Sequence, residues 1–156
     1  MKKNKIYIGN NLVKYSDENV QGETTLLNGQ PYYKISNYHQ MPPFFMSIVS
    51  NCDLWMFLSS NGALTAGRRN PDHALFPYYT DDRIHDSHDI TGNKTIVFVR
   101  KSDKIYLWEP FSYNCHGVYQ IDRNIYKNIL GNHVIFEETN RDLNITFRYS
   151  WNNCDE

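Results

Sequence analysis

The chain of 156 residues is sized for one domain, able to bury roughly two thirds of its unfolded surface without covalent staples. Sixteen Lys+Arg against seventeen Asp+Glu leave a net charge of -1, which excludes the basic footprint of a nucleic-acid binder or a membrane-surface patch. The three cysteines, Cys52, Cys115 and Cys154, lack Cys-x-x-Cys spacing, which excludes a zinc ribbon and a disulfide scaffold.

In chain order, residues 5–9 and 12–15 read as a short hairpin joined by Asn10-Asn11. Residues 20–27 and 31–38 repeat the pattern around Asn28-Gly29, whose tolerance of positive φ suits a type I′ turn. Met41-Pro42-Pro43 then interrupts pairing, since proline donates nothing to a ladder. Residues 44–50 and 54–59 are nearly continuous apolar runs, which predicts central strands covered on both faces. Beyond a long irregular stretch over 59–90, residues 95–100 and 104–109 form another predicted hairpin around Ser102-Asp103, ended by Pro110. Four short strands are predicted at 118–122, 126–130, 133–138 and 143–149, with Gly131-Asn132 and Asn140-Arg141-Asp142 as turns. Nowhere do apolar residues keep a helical period for three turns. The expected fold is therefore all-β, an antiparallel two-sheet sandwich with room for one short helical turn.

The strand over 144–151 alternates cleanly yet the sequence stops five residues later, which predicts the N-terminal piece of a longer protein. No apolar run approaches a membrane span, and the positive head Met1-Lys2-Lys3-Asn4-Lys5 has no apolar stretch behind it. A cytoplasmic chain with no membrane partner is expected.

Three segments taken together carry a family resemblance: Met41-Pro42-Pro43-Phe44-Phe45-Met46-Ser47-Ile48-Val49-Ser50-Asn51, Ser60-Asn61-Gly62-Ala63-Leu64-Thr65, and the run from Arg68-Arg69-Asn70-Pro71-Asp72 through Phe76-Pro77-Tyr78-Tyr79-Thr80-Asp81-Asp82. In order and spacing they resemble the opening domain of family-94 glycoside phosphorylases, the glycosyltransferase-36 type that includes cellobiose and chitobiose phosphorylases and the phosphorylase region of cyclic β-glucan synthases. The likeness spans residues 31–151, with one departure: the family's Gly-x-Gly hairpin stands here as Gly62-Ala63-Leu64. The resemblance implies a β-supersandwich, galactose-mutarotase-like, that packs on a C-terminal catalytic (α/α)6 barrel of the same parent chain and walls its oligosaccharide cleft. The family's general acid and phosphate site belong to that barrel, so no residue here inherits a catalytic role, and no cofactor is expected. A homodimer is compatible with this organisation.

Chemistry is expected in the irregular stretch. Arg68, Arg69 and Asn70 follow Gly67, with Asp72, Tyr78, Tyr79, Asp81 and Asp82 close behind, and a guanidinium pair displayed from a glycine-released loop suits carboxylate, phosphate or vicinal hydroxyls. The competing reading is a solvated loop whose arginines pair with Asp72, Asp81 or Asp82. His85 and His88 converge only on a helix, so a hydrated loop is preferred to a metal site. Ser87-His88-Asp89 cannot be a triad, because strand neighbours point to opposite faces. Glu137, Glu138 and Asp142 are placed at a strand end and a turn, as surface charge. The expected function is a noncatalytic domain of a carbohydrate-active enzyme. The alternative is a free-standing carbohydrate-binding or interaction module with exposed Tyr78, Tyr79 and Trp108 as stacking platforms; a small hydrolase using loop carboxylates stands third.

Overall fold

The computed structural model describes residues 6–8, 11–13, 20–50, 52–75, 95–112 and 119–152. Its first pair, β1 (Ile6–Ile8) and β2 (Asn11–Val13), is an antiparallel hairpin as expected, with Asn11 paired to Ile8 inside β2 and not in the turn. β3 (Gln21–Leu27) turns into β4 (Gln30–Ser36) through Asn28 and Gly29 at φ 51° and 80°, the left-handed pair that a type I′ turn requires. A 3₁₀ turn over Tyr38–Gln40 leads through the unpaired prolines to β5 (Phe45–Ile48), β6 (Leu54–Ser59) and β7 (Leu64–Arg68), an antiparallel three-stranded sheet in chain order. A second 3₁₀ turn, Pro71–His73, follows β7. β8 (Val97–Lys101) and β9 (Lys104–Trp108) form a separate hairpin in which Ser102 takes φ 52°. β10 (Ile121–Asn128), β11 (His133–Asn140) and β12 (Ile145–Asn152) complete a five-stranded sheet of order β12-β11-β10-β4-β3.

The five-stranded and three-stranded sheets pack face to face as a sandwich-like all-β fold. Ile125, Val134 and Phe136 of the large sheet meet Met46, Ile48 and Leu58 of the small one, with Tyr38 and Phe111 filling the ends. Alternation along β12 sends Phe147, Tyr149 and Trp151 to the same core. Phe136 stacks on Tyr149 at 5.0 Å, and Phe111 meets Phe136 edge-on at 6.3 Å, the two arrangements that the ring quadrupole favours. Among the described residues no helix is long and apolar enough to cross a membrane.

Three expectations are corrected. β5 and β6 are not covered on both faces: β5 is an edge strand, and Phe45 and Phe57 on its sheet's outer face are exposed. The predicted strands at 118–122 and 126–130 are one strand, β10, whose central Arg123 and Asn124 find carboxylate partners instead of breaking the ladder. Among the described residues there are two 3₁₀ turns, where one short helical turn was expected.

Candidate functional site

β7 ends in an exposed tip built by close approach. An added Cβ on Gly67 would lie 2.4 Å from the Trp55 ring and 2.8 Å from the His73 carbonyl oxygen, so only glycine lets the chain fold back there. It does fold back: Gly67 bridges Ala74, and Leu75 N donates to Ala66 O at 2.7 Å. Between them Arg69 adopts φ 63°, its N–H donates to Asp53 O at 2.7 Å, and its Nε donates to Asp53 Oδ2 at 3.0 Å. Asn70 closes the second half, accepting His73 N at 3.1 Å on its carbonyl and sharing a 2.7 Å hydrogen bond between Oδ1 and His73 Nδ1.

This tip displays Arg68, Arg69, Asn70 and Asp72 together, all exposed. Asp53, which precedes β6, is the partner of Arg69, where the sequence reading of a solvated loop named Asp72, Asp81 or Asp82. Arg68 joins no ion pair among the described residues, so one guanidinium and the Nη edge of another face solvent. Tyr78, Tyr79, Asp81 and Asp82 lie outside the described residues, as do Phe76 and the segment 85–89.

Of the three carboxylates that sequence reasoning placed on the surface, Asp142 is exposed in a turn as expected, but Glu137 and Glu138 are buried and bonded on several sides. Glu138, 0% exposed and inside β11, accepts Trp108 Nε1 at 2.8 Å, Phe111 N at 2.7 Å and Arg123 Nε at 2.6 Å. Arg123, itself 1% exposed, also donates Nη2 to Ser112 O at 2.7 Å. The cluster ties the end of β9 to β10 and β11. It also removes Trp108, 0% exposed, from the stacking platforms: its ring is interior and its only polar atom is spent on Glu138. Alternation was the missed signal, since Val134, Phe136 and Glu138 fall on one face.

Glu137 points to the opposite face. Oε1 accepts Asn124 Nδ2 at 2.8 Å and Tyr126 OH at 2.9 Å, and Oε2 pairs with the Arg148 guanidinium. Burial alone would raise its pKa, but the bonds from Arg148, Asn124 and Tyr126 outweigh that and hold the carboxyl below its ordinary value. Burial, then the bond to Glu137, push the Tyr126 hydroxyl up to about 12. A carboxylate held charged by so many donors is a poor general acid, and its lone pairs are occupied against service as a base. Both glutamates are structural.

No protein-family model and no curated protein matches the chain.

Proposed function

We propose that this chain is a noncatalytic β-sandwich domain of a carbohydrate-active enzyme similar to family-94 glycoside phosphorylases, one that packs on a catalytic (α/α)6 barrel and walls its sugar cleft. The observation that carries the packing role is the outer face of the β8–β9 hairpin. Register puts Phe98 opposite Leu107 and Arg100 opposite Ile105, and Phe98, Ile105 and Leu107 are 69%, 62% and 52% exposed. A face of that kind, apolar apart from Arg100, on a two-stranded ribbon marks a docking surface. The kinship rests on the ordered motifs of residues 41–82. On this reading Arg68, Arg69, Asn70 and Asp72 line the cleft, Tyr78, Tyr79, Asp81 and Asp82 continue it, and the protein works in the cytoplasm.

The reading frame beyond codon 156 tests the parentage: it should continue into paired helical repeats, and a stop codon directly after Glu156 overturns it. Calorimetric titration with cello- and chito-oligosaccharides tests the role. A wall domain apart from its barrel should give no saturable heat, whereas tight binding by the isolated chain would establish the free-standing module instead.

A further inference from the structure

The inner face of β4 and β10 carries a groove beside the free edge of β5. Tyr33, Ile35, Phe44, Met46 and Ile125 line it together with Lys127, next to the end formed by Gly131. That end is closed by the chain itself, where Lys127 Nζ donates to Ser47 O at 2.8 Å and Val49 N donates to Gly131 O at 2.9 Å. The cavity measures about 390 Å³, within the span of roughly 300–1,000 Å³ that small-molecule sites occupy.

Two features make it more than a gap between unequal sheets. Tyr33 lies across β3: a Cβ on Gly22 would meet its hydroxyl at 2.1 Å, so the glycine gives the ring room there. The end wall is charged. Lys127 joins no carboxylate among the described residues, and its bond to the Ser47 carbonyl uses one of three N–H donors, leaving two for an incoming group. Partial burial lowers its pKa, as expected where apolar neighbours displace some of the water around an ammonium. A bound anion would relieve it.

We propose that this groove binds an amphipathic carboxylate, with the tail along Ile35, Met46 and Ile125 and the head on Lys127. A neutral sugar suits the site poorly, because its hydroxyls would meet apolar side chains along most of their length. A cationic amphiphile would repel Lys127. The site is separate from the Arg68–Asp72 tip, and its occupancy is independent of the enzyme kinship proposed above.

The probes are decanoate, decyltrimethylammonium with the same tail and opposite charge, and acetate with the head alone. Calorimetric titration of the whole chain should show saturable binding of decanoate and none of the other two. Lys127→Gln should weaken decanoate by about tenfold or more, and Lys127→Arg should restore most of it, with thermal melts confirming that both variants fold. Lys104→Gln, which removes an exposed lysine of β9 that does not line the groove, should leave binding intact. Absence of saturable decanoate binding, equal binding of the cationic probe, or indifference to Lys127→Gln each overturns the proposal.

Discussion

Glu138 and Arg123 show how far a single position can depend on its partner. A fully buried ion pair contributes little net stability over an apolar pair, yet removal of one member strands the other, at about 3–5 kcal/mol. Glu138→Ala and Arg123→Ala should each lose that much in urea unfolding. Glu138→Gln should lose less, because a carbonyl oxygen still accepts from Trp108 Nε1 or Phe111 N; equal losses for Gln and Ala would show that charge alone matters. The exposed Arg69–Asp53 pair is the contrast. Arg69→Ala should cost less than about 1 kcal/mol, and a larger loss in the melt would make the tip a structural clasp and not a displayed site. Acid stability follows from two other groups. Glu137 is held below its ordinary pKa, and burial lowers that of His133, whose Nδ1 shares a 2.7 Å bond with Tyr32 OH. Both folded values are depressed, so both contribute stability above the unfolded pKa and lose it as pH falls through the folded one. Urea midpoints should therefore fall as pH drops below about 6.5 and again below about 4.3. His133→Gln should flatten the first decline alone, and a midpoint that rises on acidification would reverse the assignment.

The hairpins were legible because their turns need particular residues. Asn28-Gly29 and Ser102 occupy positive φ where the sequence put the turns, and the β12 alternation reads directly into the core. Polar residues inside strands were not legible. Asp122-Arg123-Asn124 looks like a break, and Glu137-Glu138 like surface charge, until β10 and β11 pair Arg123 with Glu138 and Asn124 with Glu137 across the ladder. Satisfaction of a buried charge is a property of the pair, so neither half announces it. The tip was legible in part: Gly67 flagged the release, but Asp53 comes beside Arg69 only through the β6–β7 ladder, which aligns Leu54 with Arg68. The element-level test is Gly67→Ala. Its Cβ would press on the Trp55 ring and on a backbone carbonyl, and the carbonyl cannot swing aside as a side chain could. The variant should lose about 1–3 kcal/mol, typical of overpacking, and protection of the Leu75 amide against hydrogen exchange should fall with it. Unchanged stability would mean that the fold-back of 74–75 contributes nothing.

At the scale of the molecule the sandwich buries three charged groups while leaving several apolar ones exposed. Glu137, Glu138 and Arg123 are buried, while Phe98, Ile105 and Leu107 on the hairpin and Phe45 and Phe57 on the small sheet are exposed. The hairpin's other face is anchored by Trp108, so its exposed side chains cannot turn inward without breaking the bond to Glu138. Exposed apolar patches of this kind favour association. If the hairpin face docks as proposed, the isolated chain should self-associate through it. Light scattering behind size exclusion should report a mass above 18.5 kDa that falls on dilution. Phe98→Lys together with Leu107→Lys should restore the monomer with a melting temperature within a few degrees of the wild type, because exposed positions contribute little to folding. If the wild type is already a monomer at every concentration, the hairpin face is not a docking surface, and the packing role proposed for the domain loses its principal support.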